Sequence, residues 1–295
     1  MLINAACIPC MTKMTLNLSK KLSLDKDTTK RVFEKILKIP GLRGEDWNIT
    51  SGEIIEQIMT VLTNTVGQAD PFKRDKEMQN KMVMDIYPYL KELINEAPDP
   101  LYEAVRLAIL GNSIDFVTTD KTPDIKKTIE ESRNVHLSRE RYDQFHEKVK
   151  NTKRLLYIGD NSGEIVIDKL LIEVLVKEYS VAVFFVSRSV PTMNDVTLEE
   201  ARFVGMDQVA TLIENGVDGP LAGTLLDRVS QEMRDHMDQA DLIISKGGAN
   251  FETLQEEFGK FETDISFMVV SKCQNYIDLY QLPIGVPLLV NRYRA

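Results

Sequence analysis

The chain has 295 residues, of which 43% are hydrophobic and 27% charged, and its formal net charge is −9 at pH 7. These proportions are ordinary for a globular protein, and the length suits one large domain or two smaller ones. The acidic balance argues against a broad nucleic-acid surface, because such a surface needs an excess of Lys and Arg. A small anionic substrate needs only a few local cations or a metal. No apolar run approaches the length of about 18 residues that a membrane span requires.

The N-terminal segment and the cysteines indicate the compartment. The first residues, MLINAACIPC, lack the basic and long apolar regions of a signal peptide. Three cysteines are too few, and odd in number, for a secreted disulfide scaffold, so we expect a cytoplasmic protein. Cys7 and Cys10 form one CxxC motif, which suits half of a zinc site or a redox pair. We interpret it first as an N-terminal turn with reduced thiols.

Apolar residues recur at helical spacing from residue 23 to residue 113. Helix starts are predicted near Asp25, Thr50, Phe72 and Leu101, and the last of these helices ends at Gly111. Few strand-like alternations interrupt this part, so it is predicted to be an all-helical subdomain. A polar turn at 111–116 follows, and residues 120–150 are interpreted as a solvated helical connector.

The pattern changes to alternating strands and helices after Lys153. Strands are predicted at 155–158, 181–186, 209–213, 242–245 and 265–270, and helices at 164–178, 198–204, 221–240 and 251–258. Strands that alternate with helices of this length indicate a largely parallel sheet covered on both faces. Right-handed crossovers then bring the carboxyl-terminal loop of every strand to the same edge.

The loops at that edge carry the polar residues that suit a metal and a phosphate. They contain Gly159 to Gly163, Asn194 and Asp195, Lys246 to Asn250, and Lys272 with Cys273. Oxygen ligands without His or Cys favour Mg, Mn or a similar cation. Lysines and glycine N–H groups beside a metal suit a phosphate.

Each loop also has a simpler interpretation. The sequence Gly-Asp-Asn-Ser-Gly is typical of a turn, and Asn194 and Asp195 are typical helix caps. Lys246-Gly247-Gly248 is not a Walker motif, and the loop at Gly159 lacks GxGxxG, so a nucleotide is disfavoured. The predicted convergence of the loops at one edge is what favours a metal and phosphate site.

Three segments, 159–164, 191–195 and 246–252, resemble motifs of the metal-dependent damage-control phosphatase family, long catalogued as a domain of unknown function. The CxxC motif and the turn at 111–115 are most similar to its prokaryotic branch. The resemblance covers nearly the whole chain. It implies an α/β fold in which residues 1–150 form a helical N-terminal subdomain and connector, and residues 151–295 a Rossmann-like three-layer α/β/α domain.

The resemblance also implies an activity and a cofactor. It implies hydrolysis of small phosphate monoesters, such as sugar phosphates and damaged phosphometabolites. The cofactor is a divalent metal, Mn, Co, Ni or Mg, held by Asp160, Asn161 and Asp195. Lys246 is expected to hold the phosphate, and Asn112 to reach in from the helical region. The family often has Gly-Gln-Gly-Asn where this chain has Gly-Gly-Ala-Asn, a departure that is expected to alter substrate contacts.

The expected site divides into two sets. The catalytic set is Asp160, Asn161, Asp195 and Lys246, and the substrate-binding set is Asn112, Ser162, Gly163, Arg188, Asn194, Gly247, Gly248 and Asn250. Direct attack by water is preferred because no DxD motif follows a predicted strand, as a haloacid-type phosphatase would need for an aspartyl-phosphate, although Asp160 remains possible as nucleophile. Arg188 is interpreted as a second phosphate clamp or as a supporting residue. Glu164 is interpreted as an acidic residue that favours the start of its helix, with the orientation of a metal-bound water as the alternative.

Two other functions fit the same residues. A strand followed by an acidic glycine loop can bind S-adenosylmethionine, as a carboxyl methyltransferase would. A metal-dependent sugar-phosphate sensor would use the same cleft without catalysis. The expected partner is a small phosphorylated metabolite, with neither nucleic acid nor membrane, and the sequence predicts no oligomeric state.

Overall fold

A computed structural model describes residues 1–112, 125–131 and 135–294. Its strands are β1 (Arg154–Ile158), β2 (Ala182–Ser187), β3 (Thr211–Glu214), β4 (Leu242–Lys246), β5 (Ile265–Val270) and β6 (Pro287–Arg292). They form one sheet in the order β3-β2-β1-β4-β5-β6. The first five strands are mutually parallel, and β6 is antiparallel to β5.

Helices precede the sheet and alternate with its strands. Before β1 they are α1 (Cys7–Lys21), α2 (Lys26–Ile36), α3 (Pro40–Arg43), α4 (Ser51–Val66), α5 (Lys73–Asp85), α6 (Tyr87–Glu96), α7 (Pro100–Gly111), α8 (Ile125–Glu131) and α9 (Arg139–Lys150). After β1 they are α10 (Glu164–Tyr179), α11 (Leu198–Phe203), α12 (Gln231–Gln239), α13 (Gly248–Glu256) and α14 (Gln274–Tyr280). Within the described residues, no helix has the length and apolar character needed to cross a bilayer.

The sheet is covered on both faces, which confirms the predicted three-layer α/β/α architecture. Tyr157 and Phe185 belong to the face that packs with α7, α9 and α10. Ile158 and Phe267 belong to the opposite face, which packs with α12, α13 and α14. Side chains alternate between the two faces along a strand, so strands buried on both sides need apolar residues at nearly every position.

The helical N-terminal part has its own small core, built mainly from α1, α2 and α4. Leu18, Val32 and Ile58 are fully buried there. Helix α4 begins with a capping box between Thr50 and Glu53, at the predicted helix start.

The hydrophobic core beside α7 contains residues from both sides of the predicted boundary at residue 150. Leu107 of α7 and Leu155 of β1 belong to the same cluster of buried side chains. The division into 1–150 and 151–295 stays a prediction, and the contact between α7 and the sheet joins its two parts.

Five predicted strands are confirmed to within two residues at each end, and the structure differs from the prediction at three other places. The CxxC motif lies in the first turn of α1 and not in an isolated turn. The helix predicted at 221–240 begins only at Gln231, because Gly223 has a left-handed φ of 106° and Ser230 caps α12. Strand β6 was not predicted. The turn predicted at 111–116 is described only to Asn112, and residues 113–116 lie outside the described residues.

We expect Gly52→Ala to destabilise the fold where α4 meets the α/β part. An added Cβ would overlap the backbone carbonyl oxygen of Ala222, so the two backbones would have to separate. Overpacking of this kind costs about 1–3 kcal/mol in the free energy of unfolding. Urea unfolding measures it. At Gly259 an added Cβ meets nothing within 4 Å, so Gly259→Ala is the control, and equal stability of the two variants would contradict the contact.

Candidate functional site

A cavity of about 230 Å³ lies at the carboxyl edge of the sheet, where helices and loops meet. The side of the cavity that the sheet loops form contains Asp160, Asn161, Met193, Asn194, Asp195, Ala222, Gly248, Ala249, Glu252 and Lys272, and the helical region adds Met14, Ser51, Ile55 and Asn112. Six of the residues that the sequence predicted for the site therefore line this cavity: Asn112, Asp160, Asn161, Asn194, Asp195 and Gly248.

The loops after β1 and β2 are joined by backbone hydrogen bonds. Asn161 and Asp195 form an antiparallel bridge, and the N–H of Val196 donates to the carbonyl of Asp160 at 2.9 Å. Asp160 and Asp195 are 7% and 3% exposed, and both line the same cavity, so their carboxylates are largely removed from bulk water. The predicted convergence of these two loops is therefore present in the structure.

A glycine at the end of β4 makes room for Asp160. Gly247 has a φ of 82°, in the left-handed region that favours glycine, and a Cβ there would overlap the carboxylate of Asp160. The amide of Asn112 donates to Asp160 Oδ2 at 3.0 Å, and that of Asn161 donates to the same oxygen at 2.5 Å. The Asp160 carboxylate thus has a fixed position at the cavity.

Negative side chains outweigh positive ones in their effect on the carboxylate of Asp160. Burial raises the pKa of Asp160 well above its ordinary value, and the carboxylates of Glu164 and Asp195 raise that pKa further. Lys272 opposes the shift. A cation placed among these oxygens would offset their mutual repulsion.

The donor set fits a hard divalent cation. Among the described residues, no group of three His, Cys, Asp or Glu side chains is arranged to hold a metal. Asp160, Asn161 and Asp195 offer carboxylate and amide oxygens at one wall of the cavity. Asn112 lines the same cavity, and its Oδ1 is buried without a hydrogen-bond partner in the described structure, which leaves an oxygen available to a ligand.

Arg188 supports the site from behind. Its guanidinium donates to Asp195 Oδ2 at 2.8 Å, to the carbonyl of Gly223 at 2.5 Å and to Asn250 Oδ1 at 3.1 Å. Burial raises the pKa of Asp195, and the ion pair with Arg188 opposes that rise. Arg188 is 4% exposed and does not line the cavity, so its contacts are those of a supporting residue and not of a phosphate clamp.

Lys246 is buried beneath the site. Its ammonium donates to Glu164 Oε1 at 2.6 Å, to Asp168 Oδ1 at 2.5 Å and to the carbonyl of Ala108 at 2.8 Å. Burial alone would lower the pKa of Lys246, but Asp168 and Glu164 outweigh burial and raise it. These three protein acceptors use the donors of the ammonium, so the expectation that Lys246 holds the phosphate does not agree with this geometry. Glu164 likewise does more than favour a helix start, because it is the partner of a buried ammonium.

Lys272, and not Lys246, is the lysine that lies at the cavity where a phosphate was expected to bind. It follows β5, it is exposed, and it lines the cavity that Asp160 and Asp195 also line. The sequence already placed Lys272 at the sheet edge, but it could not distinguish an ammonium that points into the core from one at the cavity.

The other predicted residues shape the loops. Asn250 donates to the carbonyls of Gly159 and Lys246, which joins two loops below the cavity. Gly163 begins α10 with a φ of 79°, and the side-chain oxygen of Ser162 is buried without a partner in the described structure. Ser162, Gly163, Gly247 and Asn250 do not line the cavity.

Helix α5 holds two of these loops, which the sequence did not predict. Asn80 Oδ1 accepts the N–H of Gly163 at 2.6 Å, and Gln79 Oε1 accepts the amide of Asn194 at 3.4 Å. Both α5 side chains are fully buried. The apolar spacing that predicts this helix does not mark Gln79 or Asn80, so no local signal identified them.

Comparison with known proteins finds a matching family profile and similar sequences over nearly the whole chain. The sequence profile of the damage-control phosphatase ARMT1-like domain matches residues 3–285. An uncharacterised protein of Methanocaldococcus jannaschii is 29% identical over 98% of this chain and 95% of its own length. A damage-control phosphatase of Pyrococcus horikoshii is 28% identical over 97% of this chain and 96% of its own. One from Archaeoglobus fulgidus is 28% identical over 93% of each chain.

The fold is similar to a solved structure over its whole length. The crystal structure of a DUF89 family protein from Pyrococcus horikoshii superposes with a TM-score of 0.83 at 26% sequence identity. The match covers 99% of both chains, so it includes the helical region as well as the sheet.

We expect Lys246→Met to lower the free energy of unfolding by about 3–5 kcal/mol, because it leaves two buried carboxylates without their cation. Chemical unfolding followed by circular dichroism measures the change. Lys30→Met is the matched control, since it removes a lysine from an ion pair whose side chains are 73% and 78% exposed. That control should change stability by less than about 1 kcal/mol. A Lys246 variant as stable as the control would contradict the structural role of this lysine.

Proposed function

The chain belongs to the family of damage-control phosphatase ARMT1-like domains, which makes it a phosphatase, and we propose that it hydrolyses small phosphate monoesters with a divalent cation. Sugar phosphates and damaged phosphometabolites are the substrate classes proposed. The observation that carries this proposal is the meeting of Asp160, Asn161 and Asp195 at a cavity that Lys272 also lines. Oxygen ligands beside an ammonium suit a phosphate bound to a metal.

Asp160, Asn161 and Asp195 would hold the cation, whether Mn, Co, Ni or Mg. When bound, such a cation polarises a phosphoryl oxygen and lowers the pKa of a coordinated water. Arg188 favours the ionised form of Asp195 and holds its carboxylate in place through a hydrogen bond at 2.8 Å. Asn112 fixes Asp160 from the helical region at 3.0 Å.

The phosphate would lie between Lys272 and the start of α13. Lys272 would balance charge on the phosphoryl oxygens as they become more negative. Gly248 begins α13 and lines the cavity, so its N–H end offers a favourable dipole to an anion. Direct attack by water is favoured over attack by Asp160, because two amide groups already donate to Asp160 Oδ2.

The central experiment measures phosphate release from p-nitrophenyl phosphate and a panel of sugar phosphates with Mn, Co, Ni or Mg. Turnover that disappears on chelation and returns with metal is expected. No turnover with any of the four metals would refute the proposal. Tight binding of S-adenosylmethionine in calorimetry would instead support a methyltransferase, and phosphate-ester binding without turnover would support a sensor.

We expect Asp160→Asn to reduce metal-dependent turnover by about a hundredfold or more, because it removes one negative ligand from the metal site. The change is nearly isosteric, so the circular dichroism spectrum and thermal midpoint should remain close to wild type. Asp218→Asn, at a side chain that is 88% exposed, is the control and should keep full turnover. Full turnover of a folded Asp160 variant would refute this assignment.

We expect Lys272→Met to lower kcat/KM for phosphate monoesters by about 10- to 100-fold, since it removes one positive group at the phosphate. The thermal midpoint should hardly change, because this lysine is exposed. Lys272→Arg keeps the charge and should recover part of the loss. Unchanged kinetics in the Met variant would leave Lys272 without a role at the phosphate.

A further inference from the structure

All three cysteines of the chain meet at one place. Cys7 and Cys10 lie in the first turn of α1, and Cys273 directly precedes α14. They line a common cavity of about 210 Å³. This thiol cavity adjoins the candidate active-site cavity, because both are lined by Met14, Ser51, Ile55, Gly248, Glu252 and Lys272.

Cys7 and Cys273 lie on either side of Asn275. The side-chain amide of Asn275 donates to Cys7 Sγ at 3.8 Å, and its backbone N–H donates to the thiol of Cys273. The side chain of Asn275 also bonds to Asn4, just before α1. These contacts hold the starts of α1 and α14 against each other and bring the two sulfurs to the same residue.

The alternative partner of Cys7 is Cys10, because a CxxC motif at the start of a helix can also form a disulfide. Side chains three residues apart on a helix have Cβ atoms about 5–6 Å apart. A disulfide needs Cβ atoms about 3.5–4.5 Å apart. The first turn of a helix permits this small approach, so the contacts of Asn275 with both Cys7 and Cys273 are what favour Cys273 as the partner.

We propose that Cys7 and Cys273 are a thiol-oxidation site that forms a reversible disulfide in response to a hydroperoxide. The Cys7 thiolate attacks the O–O bond, which yields a sulfenic acid on Cys7 and releases an alcohol, or water when the oxidant is hydrogen peroxide. The Cys273 thiol then attacks the Cys7 sulfur, the S–S bond forms, and the sulfenic oxygen leaves as water. Two thiols are oxidised and one peroxide is reduced.

The surroundings of Cys7 suit the attacking thiol, and those of Cys273 suit the resolving thiol. Cys7 is the first residue of α1, and its Sγ accepts hydrogen bonds from the N–H of Asn4 and the side-chain amide of Asn275, which suits the attacking sulfur. Burial raises the pKa of the Cys273 thiol, which keeps it protonated and suits the resolving partner. Both thiols are partly exposed to the cavity, so a small oxidant can reach them.

The disulfide would act on the phosphate site through Lys272, the residue before Cys273. The bond ties α1 to the loop that carries Lys272, and it narrows the part of the cavity beside that lysine. The affinity for a phosphate monoester should therefore fall on oxidation. This effect on turnover rests on the proposed function, whereas disulfide formation does not.

Disulfide formation is tested on the full chain by titrating the reduced protein with hydrogen peroxide, alkylating the remaining thiols and mapping peptides by mass spectrometry without reduction. We expect a linked peptide pair that contains Cys7 and Cys273 and disappears with dithiothreitol. The oxidised protein should melt roughly 5–10 °C higher, because the bond closes a long loop. Cys10→Ser should still form the link, and Cys273→Ser should not. A Cys7–Cys10 link, a link between two molecules, or tightly bound zinc that protects all three thiols would overturn the proposal.

Turnover is then compared before and after oxidation, with the oxidant removed and metal added. We expect the KM for p-nitrophenyl phosphate to rise about tenfold, the effect of weakening one charge-assisted hydrogen bond. Dithiothreitol should reverse it, and Cys273→Ser should be insensitive to oxidation. An unchanged KM in fully linked protein would overturn the regulatory effect. Absence of turnover in the reduced protein would count against the phosphatase function, and the peptide map would still decide whether the disulfide forms.

Discussion

The buried ammonium of Lys246 is the interaction on which the site depends. It joins three elements of the fold. Lys246 is the last residue of β4, and its ammonium donates to Glu164 and Asp168 of α10 and to the Ala108 carbonyl of α7. A charge in this position must be fully paired, because an unpaired ion costs several kcal/mol in the interior. The pairing therefore fixes the helix that follows Asp160 and places the helical region over the edge of the sheet.

The architecture and most of one cavity wall follow from local sequence patterns. Apolar strands that alternate with helices predict a parallel sheet, and a parallel sheet brings the loops at Asp160 and Asp195 to one edge. Gly247 lies in another loop at this edge, where only a residue without a Cβ leaves room for the Asp160 carboxylate. These features depend on spacing along the chain, which a sequence contains directly.

Other features depend on side-chain direction and on contacts between distant segments. Lys246 and Lys272 both follow buried strands, and only the packed structure shows that one ammonium faces the α10 carboxylates and the other the cavity. Strand β6 is a short apolar stretch after a glycine, and its pairing with β5 has no local signal. The support that Asn80 gives to Gly163 is also long-range, since 83 residues separate them.

Two different parts of the chain form the walls of the active-site cavity. The proposed metal ligands come from the loops of the sheet, whereas Met14, Ser51 and Ile55 come from α1 and α4 of the helical region. Changes in those two helices can reshape the space around a substrate without altering the groups that act on its phosphate. The shape of the metabolite that fits the cavity and the groups beside its phosphate are thus set by separate segments of the chain, so that one can be redesigned while the other is kept.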